Sequence, residues 1–193
     1  MSQSAYQFKI ELVYSNPLIW RRIAVPDTYT FWDLHVAIQD VMGWQDCHLH
    51  EFRIKDHSPT RIGIPNDEFE DDLDILPDWE VPVKEYFKDK GDMVEYVYDF
   101  GDGWNHHILF EAIQPLIQGK QYPVCLGGER NGPPEDCGGV PGYEYLIEVL
   151  GDPDHAEHDE MKAWIGGDFD PEYFDCRDVE FENPKTRLKR IVR

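Results

Sequence analysis

Along the first fifty residues the spacing of apolar positions changes period, and each change marks an element. Tyr6, Phe8, Ile10 and Leu12 alternate with Gln7, Lys9 and Glu11, the period-two pattern of a half-buried strand. Asn16-Pro17 marks a turn, and residues 19–25 read as a second strand stopped by Pro26, so the two predict an N-terminal hairpin. Phe31, Leu34, Ile38, Val41 and Met42 then recur at helical spacing. Asp27, Thr28 or Thr30 can cap the start of that helix, and Gly43 suits its end. Residues 48–54 read as a further strand, with Phe52 and Ile54 on its core side and His48 and His50 continuing that side.

The pattern falls apart from Arg61 to Val83. Residues 67–80 hold eight carboxylates broken by Leu73, Ile75, Leu76 and Trp79, which predicts a solvated loop with a few docked apolar residues. The Asp/Gly spacing of a calcium loop is missing. Order returns at residues 96–110, where Asp102-Gly103 between two aromatic and β-branched runs predicts a tight hairpin. A two-residue loop there sets Asp99 opposite His106 and Val97 opposite Ile108. Val97, Asp99, His106, Ile108 and Phe110 would then share one face.

Residues 121–126 read as a short edge strand, and 127–142 as a long Gly/Pro loop. Its prolines restrict the chain and its glycines permit unusual angles, so the loop is expected to be ordered and to wall the principal cleft. Helices are predicted over 143–150 and over 154–165, the second with Asp152 or Asp154 as its cap. Asn183-Pro184 opens a basic C-terminal helix. The elements predict an α+β fold with a mixed or antiparallel sheet. It opens with a β-grasp-like hairpin–helix–strand and ends in a helical C-terminal part. One domain is expected over 1–193, with a core of about 6–175 and a C-terminal extension over 176–193.

Charge narrows the functional classes. The chain has 39 acidic and 18 basic residues, a formal −21. Residues 185–193 hold five of the basic residues and no acidic one, which leaves −26 on the preceding 184. A body so acidic repels phosphate backbones, so nucleic-acid binding is expected to be weak or absent except through the basic tail. No apolar run approaches a membrane span and no signal pattern opens the chain, so a cytoplasmic protein without membrane partners is expected. The four cysteines (Cys47, Cys125, Cys137 and Cys176) form no CxxC pair, which excludes a zinc ribbon and favours free thiols.

Three clusters could carry chemistry. His48, His50, Asp99 and His106 would supply three imidazoles and a carboxylate to a divalent transition metal if the two strands are neighbours. Trp104, Arg130, Glu135, Asp136 and Cys137 are candidates to line the cleft beside the Gly/Pro loop. Cys137 would be a nucleophile only with a depressed pKa, and its acidic neighbours act the other way. His155 and His158, with Asp154, Asp159 and Glu160, could share a helix face and hold a divalent ion. Asp99-Phe100-Gly101 copies a kinase metal-binding triplet, but no glycine-rich phosphate loop or HRD pattern accompanies it.

Six phrases in order, PLIWRRIAVP, LHVAIQDVMGW, HLHEF, YDFGDGW, PPEDCGG…GY and GGDFDPEYFD, resemble the plasmid pRiA4b open-reading-frame-three-like family from about Tyr6 to Asp175. The resemblance implies a single α+β domain found in bacteria and archaea, alone or fused to other modules, and brings no established activity. Some members sit on mobile elements and carry a resolvase-like label. This chain lacks the basic body of a serine resolvase. Members often have a cysteine two residues before the Pro-Pro, where Asn131 and Gly132 stand here. The expectation is an acidic binding or interaction module for a protein or small-molecule ligand, with a metal as its candidate cofactor. Its alternatives are a metal-dependent hydrolase using the His/Asp cluster and a mobile-element DNA-transaction accessory.

Overall fold

A computed structural model describes residues 4–55, 59–65 and 75–191. Strands β1 (Ser4–Leu12) and β2 (Trp20–Pro26) form the N-terminal hairpin, and α1 (Phe31–Met42) follows. Then come β3 (His50–Ile54), β4 (Thr60–Gly63), β5 (Ile75–Pro77), β6 (Met93–Tyr98), β7 (Trp104–Pro115) and β8 (Val124–Glu129). Helices α2 (Gly139–Gly151), α3 (His158–Ile165) and α4 (Pro184–Ile191) complete the chain. The eight strands make one sheet in the order β5-β4-β3-β6-β7-β1-β2-β8. Only the β4–β5 pair is parallel. This is the α+β class with a helical C-terminal part. The hairpin–helix–strand opening is present, although β6 and β7 separate β3 from β1.

Alternation gives the sheet one dry face and one wet face. Phe8, Ile10, Leu12, Ile23, Phe52, Ile62, Tyr96, Ile108 and Phe110 are buried in the core under α1. The intervening residues pair as ions, Lys9 with Glu11, Arg22 with Glu111, and Glu51 with Arg53 and Arg61. Thr30 starts α1 with a capping box: its hydroxyl accepts the Asp33 N–H at 3.3 Å, and the Asp33 carboxylate accepts the Thr30 N–H at 3.0 Å. Gly43 ends the helix at φ 83°, where an L side chain would strain the backbone. Helix α4 docks on α1, with Trp32 Nε1 donating to the Pro184 carbonyl and Arg187 pairing with Asp40 at 2.7 Å.

Four sequence expectations change, one of them the 154–165 helix, which starts at His158 with Glu157 at its cap and no side-chain cap bond from Asp152 or Asp154. The stretch 61–83 contains β4 and β5, short strands that an acidic run hides; residues 66–74, which carry most of that run, lie outside the described set. The Gly/Pro loop is shorter than 127–142, because β8 runs to Glu129 and α2 starts at Gly139. The central hairpin turns through five residues, not two, and pairs Tyr98 with Trp104 and Tyr96 with His106. The cause is local: Asp99 takes φ 53° and its Oδ1 accepts the Gly101 N–H at 2.9 Å, an Asx turn that widens the loop. Asp99 therefore leaves the ladder, and tyrosines rather than Val97 and Asp99 share the face of His106.

Candidate metal centre at the hairpin turn

Strands β3 and β6 are neighbours, yet the four residues expected to form one cluster fall into three places. His48 lies before β3 begins, and its Nε2 is 3.8 Å from Asp99 Oδ2 and 3.0 Å from Asp136 Oδ1. His50 enters the core, stacks on His35 with ring centroids 3.4 Å apart, and bonds Asp78 Oδ2 at 2.8 Å. His106 is fully buried beneath Trp44, with a ring distance of 5.4 Å, and no hydrogen bond reaches either ring nitrogen. His50 and His106 thus leave the expected set and Asp136 joins it. The odd-numbered change in hairpin register and the start of β3 at His50 account for both shifts.

The loop 130–138 supplies Asp136 because it is held on three sides. Trp44 Nε1 donates to the Pro133 carbonyl at 2.8 Å, the Gln45 N–H to Glu135 Oε2 at 3.0 Å, and the Gly138 N–H to Asp102 Oδ2 at 3.1 Å. The Tyr98 hydroxyl donates to Glu135 Oε1. Close backbone approach demands glycine twice: a Cβ on Gly132 would fall 2.0 Å from the Met42 carbonyl oxygen, and one on Gly139 2.3 Å from that of Asp102. Asp136 adopts φ 59°, a region Asp tolerates better than most residues.

The other cleft candidates divide between packing and support. Trp104 is fully buried against Trp44, with its Nε1 unpartnered. Arg130 pairs with Glu172 at 2.6 Å. Burial, then Asp102 and Asp136, push the Cys137 thiol up to about 12, so it stays protonated and is no nucleophile. Burial and the Glu135 contact likewise raise the Tyr98 phenol. His155 precedes α3, whose first residue is His158, so the two do not share a helix face. His155 Nδ1 accepts the Glu157 N–H instead.

Two groups of ligand-type side chains converge among the described residues, each with its donor atoms within 4.8 Å of one another: His48, Asp99 and Asp136, and His35, Asp46 and His50. Their geometry separates them. An imidazole binds a cation in its ring plane at about 2.0–2.1 Å. Rings stacked 7° from parallel cannot both aim at one point between them. His35 already bonds Tyr96 Oη at 2.8 Å and Asp46 Oδ1 at 2.9 Å, and burial with His50 beside it lowers its pKa to about 4. That inner group is a buried core bonded through His35 and through the His50–Asp78 pair, with His50 Nδ1 and Asp46 Oδ2 left without a hydrogen bond. At the outer group no hydrogen bond takes up His48 Nε2, Asp99 Oδ2 is oriented through the Gly101 bond to Oδ1, and Asp136 is 70% exposed. The one sequence signal for the inner group is that His35 falls on the apolar stripe of α1 with Phe31, Leu34 and Ile38.

The architecture is α+β, with one mixed eight-stranded sheet and a His/Asp cluster at a hairpin turn that meets solvent at Asp136. The chain belongs to the Plasmid pRiA4b ORF-3-like protein family, which it matches over residues 4–178. It is 37% identical over 173 residues to the uncharacterized protein y4hQ of Sinorhizobium fredii, covering 88% of this chain and 86% of that protein. The crystal structure of the protein of unknown function MM3350 from Methanosarcina mazei Go1 superposes with a TM-score of 0.86 at 42% identity. That match covers 94% of this chain and 100% of the other. Among the described residues no helix is long and apolar enough to cross a membrane.

Proposed function

We propose that the chain is a binding module that holds a divalent transition cation through His48, Asp99 and Asp136. The observation behind this reading is the convergence of one imidazole nitrogen and two carboxylate oxygens from three separate segments, with their donor atoms within 4.8 Å. Donors around one cation sit about 3–3.5 Å apart when metal–ligand bonds are about 2.1 Å, so the 3.0 and 3.8 Å separations need little adjustment. An imidazole with two carboxylates suits zinc or manganese better than calcium or magnesium. Only three side chains contribute, one of them well exposed, so the open positions are filled by water or a ligand and occupancy as purified stays below one ion per chain.

The open face also favours a second reading, a metal-dependent hydrolase with a cation-polarised water. A DNA-transaction role has less support. Two of the tail's cations are engaged by the acidic body: Arg187 pairs with Asp40 and Glu182, and Arg190 with Glu182.

Titration of tag-free, chelator-treated protein with zinc and manganese tests the binding reading. One saturable site per chain is expected, weakened at least tenfold in Asp99→Asn and in His48→Ala. A folded wild-type protein with no saturable site, or with binding unmoved by either variant, would refute it.

A further inference from the structure

We propose that Cys125 and Cys176 are a redox site, closed to a disulfide by hydrogen peroxide, that latches the 170–178 segment to the edge strand β8. The two cysteines are 51 residues apart, yet their sulfurs lie 2.8 Å from each other. That is within an ångström of the roughly 2.05 Å of a disulfide bond. Both side chains are half-buried, open enough for a small oxidant. Their contact is built by what surrounds it. Phe174 packs on Gly128 of β8, where a Cβ would meet its ring at 2.4 Å, and the buried Arg21 guanidinium lies 3.8 Å from the centre of the same ring. The Arg21 guanidinium interacts electrostatically with both cysteines.

Cys125 donates its S–H to Cys176, and burial followed by the Cys176 contact pushes its thiol up to about 12. With the Cys125 S–H directed at it, Cys176 is the sulfur that meets the peroxide. Its thiolate takes one peroxide oxygen as the O–O bond breaks, giving the sulfenic acid. The departing hydroxide picks up the proton Cys176 lost and leaves as water. The Cys125 sulfur then attacks the Cys176 sulfur; the S–S bond forms, the S–O bond breaks, and the second hydroxide leaves as water with the Cys125 proton. Two thiols lose two electrons in all, and one peroxide becomes two waters.

The latch matters because the same segment holds the Gly/Pro loop. The Asn131 N–H donates to the Pro171 carbonyl at 2.9 Å, and Arg130 pairs with Glu172. Closing the disulfide fixes the segment's end to β8 and so steadies the loop that carries Asp136. The proposal stands on these contacts alone and does not rest on cation binding.

Full-length Cys47→Ser protein, which lacks the exposed cysteine that would link separate chains, is treated with hydrogen peroxide, and its thiols are counted before and after. Three thiols should fall to one, and a non-reducing peptide map should show Cys125 joined to Cys176, reversed by dithiothreitol. Hydrogen exchange at the Asn131 amide should slow on oxidation and recover on reduction. Adding Cys176→Ser should leave two thiols untouched. Three thiols surviving oxidation, a link involving Cys137, or sulfinic acid at Cys176 without a link would each overturn the site. A link without slower exchange at Asn131 would overturn the latch.

Discussion

The inner group around His35 and His50 and the outer group around His48 use the same residue types and are separated by a single residue of β-strand approach. Burial gives them opposite chemistry. Inside, His50 and Asp78 side chains are completely buried and partner each other, so each is costly to leave alone. Outside, His48 is 30% and Asp136 70% exposed, so water can replace any lost partner. One group packs α1 on the sheet; the other opens to solvent at Asp136.

The sharpest way to break this contrast is to remove an inner partner. His50→Ala leaves the Asp78 carboxylate buried and unpaired, and a loss of about 3–5 kcal/mol is expected. Urea denaturation would measure it. A loss under about 1 kcal/mol would mean that water reaches Asp78 and that the two groups do not differ in kind.

Acidification probes the same core without mutation. Burial lowers His35 to about 4 and His106 to about 3, from an ordinary 6.5. The unfolded chain therefore binds protons that the folded chain refuses as pH falls below about 6.5, and stability declines towards the folded values. The limiting slope is about 1.4 kcal/mol per pH unit for each histidine. Burial raises Asp33 and Asp40, which opposes the trend near their own range, so the clean window is about pH 6.5 to 5. His106→Leu should remove roughly half of the slope. A wild-type stability flat across that window would contradict the buried, neutral state of both rings.

What the sequence reveals about these groups depends on how local their causes are. The strand alternation at Phe8, Ile10 and Leu12 and the stop at Gly43 are each set within a few residues and appear where the pattern places them, and of the three caps the sequence offers the helix uses Thr30. The hairpin register is not local in that sense. Asp102-Gly103 favours a two-residue turn, but the Asp99 side chain offers its own backbone a competing bond, and that choice moves every cross-strand partner. Asp136 meets His48 only because Trp44, Gln45 and Asp102 hold the loop from distant segments, a convergence that no spacing in the chain encodes.

Arg187 tests whether the C-terminal helix belongs to the inner group. Its guanidinium bonds Asp40 and Glu182 and lies 3.8 Å from Asp46, the carboxylate that accepts from His35. Arg187→Ala leaves a nearly buried Asp40 with only the Glu182 N–H, and about 2 kcal/mol should be lost, with exchange of α4 amides accelerated first. An unchanged melting curve would detach α4 from the core.

The smallest expected effect is the most discriminating. His48→Ala removes a side chain that has no hydrogen bond at Nε2 and sits beside two carboxylates. With water able to hydrate Asp136 and the Gly101 N–H still bonded to Asp99, the change in stability should be within about 0.5 kcal/mol, the range of ordinary surface substitutions. The same variant should lose at least tenfold in zinc affinity. Thermal melts of wild type and variant, with and without zinc, read both quantities together, since a cation bound to the folded state raises the melting temperature by mass action. The expected pattern is equal melting without zinc and a zinc-dependent rise in the wild type alone. A destabilised variant in the absence of metal would make His48 structural like His50, and the contrast between the two groups would fail.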